Sequence, residues 1–363
     1  MTTSRQGGKT KTATRNPSRR TLLAGGAAAI AAFAVPSGGV LAAARRSVID
    51  VHHHFLPPLF ARAASANGVL NPALRGLDAA RSLEEMDRNG VATAILSIPS
   101  PGAGVSGPAL APRVARDANE FAARMVADHP GRFGWCATLP LPDIASSLSE
   151  LAYALDVLHA DAVHLWTNYG DFWLGDARLG PLLSDLNRRR AVVYTHPTTP
   201  GCCGKLVPEI PVTVIEYGTD TARTIASLVF SGMASQYPDI RWVFSHAGGS
   251  MPALVERFTF QARALAAAGT AARILPNGVE AELQRFYYET AQSTAAPTLA
   301  ALVRVARKEH ILFGSDYPYR TISDGLRGLA AFGFEGDMAR AIESGNAERL
   351  FKRHAGSVGA TLR

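Results

Sequence analysis

Between residues 47 and 318, short β-branched or aromatic runs alternate with longer stretches whose apolar positions recur at helical spacing. The runs are SVIDVHHHF (47–55), TAILSI (93–98), FGWCATLPL (133–141), DAVHLWT (161–167), AVVYTHP (191–197), RWVFSHAG (241–248), FYYETA (286–291) and ILFGSDYP (311–318). Between them lie amphipathic segments such as SLEEMDRNG, RVARDANEFAARMVADHP, DTARTIASLVFSGMASQYP and PTLAALVRVARK. Ser82 followed by Glu85 reads as a capping box, and Gly90 as the stop of the same helix. Strands that alternate with helices pair in parallel through right-handed crossovers. The predicted fold class is therefore α/β, and eight such units fit a closed (β/α)₈ TIM barrel. An open doubly wound sheet fits less well, because no glycine-rich phosphate loop follows the first run.

Residues 1–46 differ in kind. Arg5, Lys9, Lys11, Arg15, Arg19 and Arg20 come with no acidic residue, and a soft Ala/Gly-rich run follows, closing on Ala-Ala-Ala at 42–44. That is the plan of a secretory leader. SRRTLL at 18–23 resembles a twin-arginine export signal, although Leu22 holds the usual Phe position and no Lys follows Leu23. The expectation is a leader at 1–44, an exported protein (periplasmic or extracellular), and one catalytic domain at 45–363. The rival is a leader kept as an anchor, which the interrupting Gly, Ser and Pro residues make a poor span.

The leader also changes the charge. It carries six positive charges of the formal +7, so the domain is left near +1. A nucleic-acid partner, which needs a basic face on the folded domain, loses its support. Three cysteines, Cys136, Cys202 and Cys203, are too few for a disulfide scaffold and read as ordinary thiols.

Barrel enzymes gather their chemistry at the C-terminal ends of the strands. Read at those ends, the first run supplies His52 and His54, the fifth His196, the sixth His246 and the eighth Asp316. Strand alternation puts His52 and His54 on one face and turns His53 away, into packing or outer-shell support. Five of the ten histidines fall in these tips. Three imidazoles and a carboxylate suit one divalent ion, Zn²⁺ first, with Mn²⁺ or Fe²⁺ as alternatives. The fourth run has no lysine to bridge a second metal; its His164 reads as structural, and His129, His159, His310 and His354 as surface groups.

Taken together, D-x-H-x-H, THP, SHAGG and GSDYP resemble the amidohydrolase superfamily and, more narrowly, its amidohydrolase-related decarboxylases. Those are the relatives of 2-amino-3-carboxymuconate-semialdehyde decarboxylase. The segments LWTNYGDFWLGD, LNRRRAVVYTHPTTP and GNAERLF are similar to proteins of the 6-methylsalicylate decarboxylase-like group. The likeness runs from about Val48 to Phe351. It implies a barrel of the metal-dependent hydrolase type, with His52, His54, His196 and Asp316 as metal ligands. It also implies proton handling by His246.

The implied activity is non-oxidative decarboxylation of a small aromatic or enol acid, with Asp316 or a water held by His246 delivering the proton. Expected substrate contacts are Trp166, Tyr169, Arg223 and Tyr319, with Phe55, Phe172, Trp173 and Tyr317 as further ring neighbours. Arg75 and Arg81 are alternative carboxylate clamps. The expected partners are a small carboxylic acid, the twin-arginine machinery and a second copy in a homodimer. The competing functions are hydrolysis of a lactone or amide at the same site, and an exported, non-catalytic metal-binding protein.

Overall fold

The computed structural model describes residues 47–203 and 209–354. The leader and its twin-arginine motif lie outside the described residues. Eight parallel strands form one sheet in chain order. They are β1 (Val48–His54), β2 (Val91–Ser97), β3 (Phe133–Thr138), β4 (Ala162–Trp166), β5 (Val192–His196), β6 (Arg241–Phe244), β7 (Tyr287–Glu289) and β8 (Ile311–Leu312). The segment after β8 returns to β1. Val51 N donates to Phe313 O at 3.0 Å, Asp316 N to His52 O at 2.8 Å, and His54 N to Tyr317 O at 2.8 Å. The barrel closes as predicted.

Among the described residues, seven main crossover helices and one that follows β8 surround it: α1 (Ala79–Asn89), α2 (Ala111–Asp128), α3 (Ile144–Ala152), α4 (Gly180–Arg188), α5 (Glu216–Ser231), α6 (Met251–Ala267) and α7 (Ala296–Val305), then α8 (Ile322–Phe332). Gly90 stops α1 in a left-handed conformation (φ 69°), as expected. The capping-box reading fails. Asp78 is the N-cap and accepts from Arg81 N, so Ser82 and Glu85 lie inside the helix. Asp78 caps this helix before Ser82 can, and Ser82 turns its hydroxyl to His53 instead.

Two apolar cores result. One lies between strands and helices; the other fills the barrel, with Ile49, Val51, Ile95, Cys136, Ala162, Val192, Tyr194, Val243 and Leu312 pointing inward. Ala347, Leu350 and Phe351 pack against that inner core. His354, expected at the surface, is buried with its Nε2 3.1 Å from Asp161 Oδ1. A carboxylate partner lets an imidazole sit in the interior. The observed strands end sooner than the apolar runs, since GSDYP and SHAGG leave the ladder to form turns. A small hairpin, Asn168–Tyr169 with Phe172–Trp173, follows β4 and was not foreseen.

Candidate metal centre and its surroundings

β1 is not a regular strand. Its register against β2 shifts between Asp50 and His53. Val51 belongs to the inner core, and His52 also faces inward, 5.4 Å ring to ring from Tyr194. A bulge of this kind re-aims side chains. Asp50 therefore lies with His53 rather than beside His52. Asp50 Oδ1 accepts from Ser315 N at 2.9 Å, and its Oδ2 accepts from Ser315 Oγ at 2.6 Å. His53 bonds Asp50 Oδ2 at 3.1 Å and Ser82 Oγ at 3.2 Å, turned away as parity predicted. Through Ser315, Asp50 ties the GSDYP turn to β1 and so fixes Asp316 against His52 and His54.

One atom each from His52, His54, His196 and Asp316 lies within 4.8 Å of the others, and all four residues are buried. The tautomers are set from behind. His52 Nδ1 meets Glu289 Oε1 at 2.8 Å, His54 Nδ1 meets Ser97 O at 3.2 Å, and His196 Nδ1 meets Pro197 O at 2.8 Å. Each acceptor holds the proton on Nδ1 and leaves the Nε2 lone pair for the centre. His196 Nε2 is buried with no hydrogen-bond partner. Asp316 Oδ1 sits 3.2 Å from His52 Nε2 and 3.0 Å from His54 Nε2.

Charge makes the same point. Burial works against ionised Asp316, yet His52, His246 and His54 hold it well below the usual carboxylate range. Burial likewise opposes Glu289, and His52 leads the groups that lower it. Burial depresses His54 and His196, so both are neutral. For His52 burial is outweighed by Asp316 and Glu289, which draw its pKa up to about 10. With protein groups alone, two buried carboxylates are thus only half balanced by a proton on His52. A divalent cation on the three Nε2 atoms and Asp316 balances them better, and the donor set fits it.

His246 follows β6 in a left-handed conformation (φ 53°). Its backbone N donates to Glu289 Oε1 at 2.9 Å, and its Nε2 lies 3.4 Å from Asp316 Oδ2. Gln292 also donates to Asp316 Oδ2. The SHAGG turn needs glycine at Gly249, where a Cβ would fall 2.1 Å from Gly218 O at the start of α5. Gly314 is similar: a Cβ there would lie 2.1 Å from Glu289 Oε2.

A match to the amidohydrolase family model covers residues 49–353. The chain belongs to the amidohydrolase family. A decarboxylase of Aspergillus niger is 35% identical over 320 residues, covering 82% of this chain and 86% of its own length. A 6-methylsalicylic acid decarboxylase of Penicillium expansum is 36% identical over 280 residues, covering 73% and 83%. A dihydroxybenzoic acid decarboxylase from Polaromonas, solved with bound manganese, superposes with a TM-score of 0.70 at 22% identity, over 85% of this chain and 97% of that one.

The expected substrate contacts divide. Trp166 and Tyr319 stand at the centre, 5.6 Å from the His196 ring and 5.2 Å from the His54 ring respectively. Tyr169 instead uses its hydroxyl to accept from Trp166 N at 3.0 Å. Phe55 stacks on Phe121, and Tyr317 packs on His53. Phe172 lies under the Arg178 guanidinium, and Trp173 donates to Asp220 Oδ1 at 2.7 Å. Arg223 does not stand free as an anion clamp: its Nη1 donates to Glu216 Oε2 at 3.0 Å and lies 3.5 Å from Asp220 Oδ1. Two nearby carboxylates already satisfy that guanidinium. Arg75 and Arg81 are exposed, with Arg81 Nη1 on Arg75 O at 2.9 Å. Cys202 and Cys203 are free thiols, as is buried Cys136.

Three groups were missed. Glu289 sits in an aromatic strand with no motif around it. Tyr217, 6.0 Å ring to ring from His196, hides at the start of a helix. Asp220, fully buried, organises Thr167, Asn168 and Trp173 beneath the β4 loop. A lone acid inside an apolar run was the available signal for Glu289, because such residues are buried only when paired.

Proposed function

We propose that this chain is a metal-dependent, non-oxidative decarboxylase of a small hydroxylated aromatic acid, a carbon–carbon lyase. The observation that carries the reading is His246 held against Asp316 Oδ2 while Glu289 joins its backbone to His52. A proton-handling imidazole beside a complete ligand set is not what a purely structural metal site needs. His52, His54, His196 and Asp316 would hold the ion. Zn²⁺ suits three nitrogens and one carboxylate oxygen, and manganese in the Polaromonas relative keeps Mn²⁺ as the alternative. When bound, the ion supplies positive charge that holds the substrate's anionic oxygens.

The chain's own residues do the rest. Trp166 and Tyr319 flank the centre and offer flat apolar surface to a ring. Proton transfer to the carbon bearing the carboxylate forms a C–H bond; the C–C bond then breaks, its electrons return to the ring, and CO₂ leaves. His246 is assigned the proton. Asp316, held ionised by its imidazole neighbours, keeps its place as ligand and orients His246 through Oδ2. A positioned acid of this kind contributes about 10²–10⁴-fold.

Residues 1–44 are proposed as a twin-arginine leader that sends the domain out of the cytoplasm. The direct test of the activity is to incubate metal-loaded protein with hydroxybenzoates and measure CO₂ with the matching phenol. Hydrolysis of lactones or amides without CO₂ release would replace this reading with the hydrolase.

A further inference from the structure

The inner face of β4 carries a group that the proposed reaction leaves unused. Ala162 belongs to the inner core, so strand alternation turns His164 and Trp166 inward as well. His164 is only 4% exposed, and its Nε2 has no hydrogen-bond partner. Its ring centre lies 4.4 Å from that of Trp166, 5.7 Å from Tyr194 and 6.1 Å from His196. It therefore stands directly beside the metal centre, on the wall that Trp166 covers.

A second group accompanies it. Thr138 pairs with His164 across β3 and β4, and it faces inward by the same alternation that turns Cys136 in. Its hydroxyl is buried and also without a partner. Buried polar atoms are nearly always paired, and leaving one unpaired carries a desolvation penalty. Two of them on paired residues, on the wall beside the candidate metal centre, point to a partner brought by a ligand.

The chemistry narrows the partner. His164 lies buried among aromatic side chains, where the uncharged imidazole is the form that avoids the desolvation penalty of a charge. A neutral imidazole offers one donor and one acceptor, and a threonine hydroxyl offers both. That pair matches a neutral phenolic hydroxyl, itself donor and acceptor. It does not match a second carboxylate, which would bury an uncompensated charge.

We propose that His164 and Thr138 form a subsite on the β4 wall that reads a ring hydroxyl of a hydroxybenzoate, while Trp166 covers the ring. The assignment rests on the decarboxylase reading above. It makes His164 a specificity residue rather than the structural one its mid-strand position suggests.

The test uses the metal-loaded full chain and a panel of probes, 2-hydroxybenzoate and the four dihydroxybenzoates that add one hydroxyl to it. Tryptophan quenching gives Kd independently of turnover, and CO₂ release gives kcat/KM. The wild type should prefer at least one dihydroxybenzoate by about tenfold, the worth of one buried hydrogen bond. His164→Phe should erase that preference while holding metal content and the Kd for 2-hydroxybenzoate within a few-fold. His164→Gln should restore part of it. Should His164→Phe fail to fold, Thr138→Val serves in its place and should narrow the same ratio. A preference that survives these changes, or a wild type with none, overturns the subsite. So does a lower melting temperature with an unchanged ratio, which marks His164 as packing alone. Absence of CO₂ from every probe would instead sink the decarboxylase reading, and the Kd ratios would still judge His164.

Discussion

Replacing Glu289 with Gln keeps the shape of a fully buried side chain and removes one charge from the centre. The carboxylate accepts from His52 Nδ1 at 2.8 Å and His246 N at 2.9 Å through Oε1, and from Ala291 N at 2.5 Å through Oε2. An amide has one accepting oxygen. If that oxygen takes the Oε1 place, its NH₂ faces the Ala291 N–H; flipped, it faces the two donors on His52 and His246. Either way a buried donor is left without a partner, at about 1–3 kcal/mol. Outer-shell partners of metal-bound histidines are typically worth about 10–100-fold in metal affinity or activity. Glu289→Gln should therefore fold, bind its ion about 10–100-fold more weakly, and lose turnover even at saturating metal, since the His246 turn loses its anchor. Competition with a chromophoric chelator measures the affinity, and CO₂ release at saturating metal measures the rest. Wild-type affinity together with wild-type turnover would refute the coupling of His52 to His246 through this carboxylate.

Three further outcomes rest on the geometry of the centre, and a fourth rests on the leader sequence. Alanine at His52, His54, His196 or Asp316 should lower bound metal per chain, whereas His53→Ala, which cuts only the bonds to Asp50 and Ser82, should leave the stoichiometry unchanged. His246→Asn should keep metal and bind substrate within a few-fold, yet lose about 10²–10⁴ in kcat. Because His52 is raised from 6.5 to about 10 in the metal-free protein, its contribution to stability is fully present below pH 6.5 and is lost as pH rises through about 10. Ion binding at pH 7–9 must then release one proton, with affinity rising about tenfold per pH unit, which calorimetry in buffers of different ionisation enthalpy reads directly. Lysine at both Arg19 and Arg20 should hold the protein in the cytoplasm, and unchanged secretion of that form would remove the twin-arginine route.

What could be read from the sequence followed two periodicities and one rule of placement. Alternation separates His52 and His54 from His53, and the barrel rule directs attention to strand tips, which together gather His52, His54, His196, His246 and Asp316; the family resemblance then divides them into four ligands and one proton-handling group. Alternation fails at Asp50, because a bulge adds a residue that no hydrophobic pattern marks. Arg223 looked available because its partners, Glu216 and Asp220, lie seven and three residues away on the same helix. Helical spacing predicts the i,i+3 approach to Asp220, whereas the reach to Glu216, two turns back, shows only in the folded helix. His354 was misjudged for a different reason. Its partner Asp161 lies far away in sequence, and only the folded chain brings them together.

The position of Glu289 bears on why the centre belongs on this fold. Two carboxylates, Asp316 and Glu289, are buried around three imidazoles, and burying an ion without a counter-charge carries a penalty of several kcal/mol. The strands could have avoided that with an amide at position 289, as they avoid it elsewhere in the inner core with Val and Ile. Glu289 instead pulls His52 toward the charged form, which makes Nε2 a stronger donor when a metal takes the proton's place. The same oxygen fixes the backbone of His246, so one anion sets both the basicity of a ligand and the aim of the proposed acid. A site meant only to store an ion gains nothing from the second of these bonds. The arrangement is expected of a centre whose metal and proton must act on one molecule, and it is the physical reason to place the chemistry between His246 and Asp316.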